Sequence, residues 1–158
     1  LLLLQLSRKL SHNNVVAIVI VCPGLVPFPM IACVSFLIYR RAYALVLSGN
    51  HVYTSGAGGT NAAAIRGALR AERDDLLTVV LPQSMGKQTK ESQELLKKVK
   101  DVITMPQKYD LTLDVASRIC NSYLLSQTDQ LISFAFHESS TVIEAATEAK
   151  ELDMLVTT

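Results

Sequence analysis

The chain has 158 residues, room for one domain with a sizeable core but cramped for two, and its 49% hydrophobic content is that of a folded globular protein. A formal net charge of +1 excludes the global basic field that advertises nucleic-acid binding, so any such role must rest on a local patch. Cys22, Cys33 and Cys120 are odd in number, widely spaced and set among apolar residues, which argues against a disulfide framework and for an intracellular, reducing compartment. None of His12, His51 and His137 lies near a cysteine, so no metal site is expected.

Residues 1–13 open with LLLLQLSRKL, where charge follows the apolar run and no small-residue cleavage site comes next, unlike a signal peptide. The expectation is an N-terminal helical extension ahead of a single domain over residues 14–158. A start without methionine and an end at Val156-Thr157-Thr158 that reads as mid-strand lead to the expectation of a fragment, truncated at its C-terminus. From Asn14 to Tyr39 there is no charged residue, but Pro23, Gly24, Pro27 and Pro29 would break a spanning helix. The stretch parses instead as a buried strand Val15 to Val21, a loop Cys22 to Pro27, and a helix from near Pro29 to Leu47, capped by Gly49 and Asn50.

Val52, Tyr53 and Thr54 form a short β-branched and aromatic run, followed by Ser55-Gly56-Ala57-Gly58-Gly59 and then by Ala-rich sequence with Ile65 and Leu69 at helical spacing. That reads strand, glycine loop, helix. Glycines let the backbone approach a ligand, and a helix start leaves N–H groups unpaired at the positive end of its dipole, so an anion, a phosphate above all, is the expected guest. The spelling matches neither the dinucleotide fingerprint nor the Walker pattern. Without a ligand, the same glycines make a tight strand-to-helix connection.

Leu76 to Leu81 is a third, wholly apolar strand ended by Pro82-Gln83-Ser84. Residues 84–100 are rich in Lys and Glu with Leu95, Leu96 and Val99 as the apolar stripe of a surface helix. A short strand Val102 to Thr104 follows, then a loop Met105 to Asp110, a helix through Leu113, Ala116, Ile119, Cys120, Tyr123 and Leu124, and a strand Leu131 to Phe136. After His137-Glu138-Ser139-Ser140-Thr141 comes a helix through Ala149, with Thr141 and Glu144 at capping-box spacing, and a last strand begins at Met154. This alternation predicts an α/β fold: a Rossmann-like doubly wound, mostly parallel sheet of about five to six strands with helices on both faces. Ligands then bind beyond the carboxyl ends of the strands.

At that edge Ser55, Thr60, Asn61 and Ser84 can hydrogen-bond a phosphate or sugar, and Ser139, Ser140 and Thr141 form a second polar helix start. Arg66 sits early in its helix and can reach back toward an anion. His137 and Glu138 occupy a strand end where acid/base residues sit, yet no nucleophile-base-orienter set can be assembled, which favours a binding module over a hydrolase.

The run Thr54-Ser55-Gly56-Ala57-Gly58-Gly59-Thr60-Asn61 with Gly67-Ala68-Leu69 resembles the Ser-Gly-x-Ala-x-Gly-x-Asp stretch of the DNA-processing protein A (DprA/Smf) Rossmann domain. Thr78 to Pro82, Ala116 to Ser126 and Leu131 to Ala149 resemble that family's next strand, its arginine-bearing helix, and its strand, Ser-Gly-Ser/Thr loop and Ala-rich helix. The resemblance covers residues 15–158 and extends to the superfamily that includes the cytokinin-activating LOG enzymes. It implies binding of single-stranded DNA or a nucleotide, help in loading the RecA recombinase or membership of a larger protein complex, and no cofactor beyond a bound nucleotide or phosphate. It makes Ser55 to Asn61 (Ser55, Gly56, Ala57, Gly58, Gly59, Thr60, Asn61) the phosphate cradle and matches Arg118 to the first arginine of an Arg-Asn-Arg run. The side chains expected to meet nucleic acid are Arg66, Arg70, Lys87, Lys90 and Arg118. Asn61 stands for the family's Asp, Ile119 and Cys120 interrupt Arg-Asn-Arg, and Glu138-Ser139-Ser140 lacks the glycine. The nearest likeness is to DprA-like proteins of cyanobacteria and plastid-bearing eukaryotes, which implies a plastid stroma or cyanobacterial cytoplasm. The rival readings are a small-nucleotide enzyme or sensor of the LOG type acting through His137 or Glu138, and a structural subunit that keeps the fold without the activity.

Overall fold

The computed structural model describes residues 15–20, 28–56, 58–105, 111–134, 140–152 and 154–157. Among these residues, six parallel strands form one sheet: β1 Val15–Ile20, β2 His51–Ser55, β3 Leu77–Leu81, β4 Asp101–Thr104, β5 Gln130–Phe134 and β6 Leu155–Thr157. The helices between them are α1 Phe28–Leu47, α2 Asn61–Arg70, α3 Lys90–Leu96, α4 Leu113–Gln127 and α5 Ser140–Glu151. The strand order is β4-β3-β2-β1-β5-β6, so the chain winds outward from β1 on one side, then crosses back to add β5 on the other. The doubly wound α/β expectation is borne out, and the point where the winding reverses lies between β1 and β5.

Burial explains why these runs became strands. Every residue of β3 is buried, because helices cover both of its faces and alternation would place polar groups in a core. On one face α1, α2 and α3 pack Val34, Ile38, Ala42, Val46, Ile65, Ala68, Leu95 and Leu96 against Val52, Leu77, Val79 and Leu81. On the other, α4 and α5 pack Cys120, Leu124, Leu125, Ala145 and Ala149 against Val80 and Leu131.

The helix expected across residues 84–100 is shorter. Met85–Lys87 is a 3₁₀ turn, and α3 starts only at Lys90, where the Thr89 hydroxyl accepts from the Ser92 N–H. α5 already begins at Ser140, so Thr141 sits inside its first turn rather than at the cap, and the Glu144 carboxylate reaches across to Arg118 instead. No helix among the described residues is long and apolar enough to cross a membrane. The expected extension over residues 1–13 and the loop Cys22 to Pro27 lie outside the described residues.

Candidate functional site

The carboxyl edge of the sheet carries the glycine loop after β2. Gly56 takes φ +72°, a conformation that penalises a side chain, while its N–H donates to the Val80 carbonyl (2.8 Å) and so pins the turn to the neighbouring strand. Gly58 and Gly59 are exposed, and a Cβ at Gly58 would meet nothing within 4 Å. The loop therefore presents bare backbone to solvent.

One expectation needs correction. The first-turn N–H groups of α2 are not left unpaired: those of Asn61, Ala62 and Ala63 donate to the carbonyls of Gly58, Gly59 and Thr60 at 3.1, 3.2 and 3.1 Å. These three-residue closures tighten the helix start and use up donors that an anion would want. Thr60 is buried beneath the turn and makes no side-chain cap bond.

Ser55 closes β2, Ser84 is exposed ahead of the 3₁₀ turn, and Ser140 and Thr141 open α5. Ala57, His137, Glu138 and Ser139 lie outside the described residues. Lys87 and Lys90 are exposed on the rim beyond β3, and Arg66 joins them there, its guanidinium 2.9 Å from Glu91 in the first turn of α3. Arg118 lies on the opposite face, held by Asp114 (3.2 Å) and by Glu144, so two carboxylates balance its charge. Arg70 stands at the far end of α2 from the glycine loop, donating to the Tyr39 hydroxyl (3.1 Å).

Buried polar atoms without a partner add Thr54, Asn121 and Ser133 to the expected Asn61. Thr54 Oγ1, Asn61 Oδ1, Asn121 Oδ1 and Ser133 Oγ are all enclosed and find no hydrogen-bond partner among the described residues. Thr54 lies on β2 opposite Ile18, and Ser133 lies on β5 opposite Val19, so they flank the carboxyl half of β1 on its two sides. Each such group costs about 1–3 kcal/mol unless something supplies the missing bond. The signal was present in the sequence only as polar letters inside apolar runs: Thr54 in VYT, Ser133 in LISF, Asn121 after Cys120.

No protein-family model matches the chain, and no curated protein matches it. Among solved structures, the chain is similar to DNA processing protein A from Helicobacter pylori, a structure described for its single-stranded DNA binding mode. The TM-score there is 0.64 at 14% identity, over 90% of this chain and 64% of that one. DprA from Streptococcus pneumoniae gives 0.64 at 15% identity, over 91% of this chain and 49% of that one. The chain thus spans less than two thirds of either DprA. The molybdenum cofactor binding protein from the phototrophic bacterium Rippkaea orientalis gives 0.56 at 15% identity, over 92% of this chain and 90% of that one. At such identities the likeness is one of fold, and the expected likeness to the DprA Rossmann domain is borne out at that level.

Proposed function

We propose that the chain is a nucleic-acid-binding module that holds single-stranded DNA along the carboxyl edge of its sheet, as the DprA-like resemblance implies. The observation that supports it best is the rim itself, where the bare backbone at Gly58 and Gly59 lies on the same edge as Arg66, Lys87 and Lys90. Backbone and lysines would take the phosphates, with Ser84 as a further hydrogen-bond donor and Ser140 and Thr141 at the second helix start. Arg118 would contribute little until DNA displaces Asp114 or Glu144 from it. A recombinase or larger complex as partner, and a plastid or cyanobacterial setting, belong to this same proposal.

The test is fluorescence anisotropy with a labelled oligothymidylate across a salt series. Log affinity should fall with log salt at roughly 0.7 per phosphate neutralised, and Lys87→Ala with Lys90→Ala should lower that slope by about 1.4. Affinity that ignores salt would sink the reading.

A second reading is favoured by the enclosed, unpartnered oxygens of Thr54, Asn61, Asn121 and Ser133. A phosphate offers the acceptor-only amide oxygens of Asn61 and Asn121 few hydrogens, whereas a sugar hydroxyl or ring amino group offers several, and the Thr54 and Ser133 hydroxyls can donate to either. A carrier or sensor of a small phosphorylated heterocycle would use both the loop and these groups, with His137 or Glu138 supplying chemistry if it is an enzyme. Calorimetry in which a mononucleotide binds and oligothymidylate does not would select this reading, and turnover lost in His137→Ala would make it an enzyme.

A further inference from the structure

The outer face of α1 carries an exposed apolar stripe that nothing among the described residues covers. Its inner side, Val34, Ile38, Ala42 and Val46, packs on the sheet. The outer side presents Cys33, Phe36, Leu37 and Leu47, with Phe36, Leu37 and Leu47 at 58, 53 and 58% exposure. From Cys33 to Leu47 the stripe runs about 21 Å, the footprint of roughly four helical turns.

Its charge is of one sign. α1 contains no acidic residue, and Arg40 and Arg41 are exposed on it. Arg70 of α2 joins them, its guanidinium 5.1 Å from the Tyr43 ring centroid and 5.9 Å from that of Tyr39, while Arg40 stands 5.8 Å from that of Phe36. Among the described residues none of these three arginines meets a carboxylate, whereas Arg66, Arg73 and Arg118 all do. The other exposed apolar group, Leu113, Val115, Ile119 and Ile143 on α4 and α5, surrounds the balanced Arg118 and lacks this bias.

We propose that this face docks an acidic amphipathic helix of a protein partner. Charge complementarity selects the occupant. A two-fold dimer through this face would set Arg40, Arg41 and Arg70 against themselves, and the N-terminal segment LLLLQLSRKL brings Arg8 and Lys9 with no carboxylate. Leu37, Leu47 and Cys33 give a nucleic-acid strand little to stack on, and the aromatic rings of the face already carry guanidinium groups, Arg40 over Phe36 and Arg70 over Tyr39 and Tyr43. A helix with leucines at i, i+3, i+4 and i+7, flanked by Glu or Asp, satisfies both the stripe and the guanidinium groups. This inference is independent of the function proposed for the carboxyl edge.

The probe is a labelled synthetic helical peptide of about five turns carrying leucines at that spacing with glutamates beside them, set against a twin with lysines in their place. Anisotropy should show saturable binding of the acidic peptide, with the lysine twin weaker by about tenfold or more. Phe36→Ala should weaken the acidic peptide, and a double Arg40→Glu, Arg70→Glu protein, its fold confirmed by circular dichroism, should prefer the lysine twin. Absence of binding, equal binding of both peptides, or an unchanged acidic preference in the double variant would overturn the proposal. So would an oligothymidylate or anionic vesicle that binds in a way the double variant abolishes while the acidic peptide fails to bind.

Discussion

His51 gives a hydrogen bond to a side chain whose own proton is already committed. The Thr78 hydroxyl donates to Asp101 (2.7 Å), so the 2.8 Å contact between His51 Nε2 and Thr78 Oγ1 must be donated by the imidazole. Burial pushes the His51 pKa below its ordinary 6.5, while Asp101 and Asp75 pull weakly the other way. A depressed folded-state pKa means that the unfolded chain takes up the proton first as pH falls. The stability His51 confers is therefore complete above pH 6.5 and is lost as pH drops through the lower folded value. Urea unfolding at pH 7.5 and pH 5.5 should show the loss, and His51→Gln should flatten the difference. At Cys120, burial pushes the thiol pKa up to about 12, and its Sγ lies 3.5 Å from the Val80 carbonyl oxygen. Mass spectrometry after alkylation of the native protein at pH 8 should find Cys33 modified and Cys120 protected until denaturant is added.

Among the elements, the α1–α2 pair has the least tolerance. A Cβ built at Gly67 would collide with the carbonyl of Tyr39, backbone against backbone, so neither side can rotate away. Gly67→Ala should cost about 1–3 kcal/mol in chemical denaturation even though alanine is the better helix former. Element boundaries were legible wherever one physical cause acted alone. The apolar run expected at Leu76 to Leu81 could only be a doubly covered strand, which begins one residue later because Leu76 closes a 3₁₀ turn, and Pro27 and Pro29 could only frame a helix start, which came at Phe28. Both ends of the chain's most charged stretch were less legible, because Lys and Glu suit a turn as well as a helix, and α3 shrank to Lys90–Leu96. Gly67 read as one more small residue in an Ala-rich run; its role depends on α1, which is distant in sequence.

For the whole molecule, the strand order was beyond local pattern. Placing β5 beside β1 depends on which loops can cross the sheet, and that in turn decides which residues flank the reversal point. Half of the candidate site was legible for the same reason: Ser55 to Asn61 announce themselves as a strand-to-helix connection, while Ser133 acquires meaning only once β1 lies between β2 and β5. Stability should follow the same order. β3, β2, β1 and β5 have neighbours on both sides, β3 is buried at every residue and β6 is a three-residue edge, so amide exchange should be slowest in the internal strands, β3 above all, and fastest in β6. Comparable protection across all six strands would contradict this layering.

The absent side chain at Gly67 also makes a lever. With Gly67 of α2 seated directly on the α1 backbone at Tyr39, the two helices are in close contact: the Gly58–Gly59 turn leads into α2, and the pair carries Phe36 on α1 and Arg70 at the end of α2. A ligand that draws the turn forward by a fraction of an ångström would carry the outer stripe with it. The two ends would then report on each other, and by reciprocity equally in both directions. Peptide affinity measured with and without an oligonucleotide on the turn should shift by the same factor as oligonucleotide affinity with and without the peptide, and Gly67→Ala, by loosening that contact, should shrink that factor toward one.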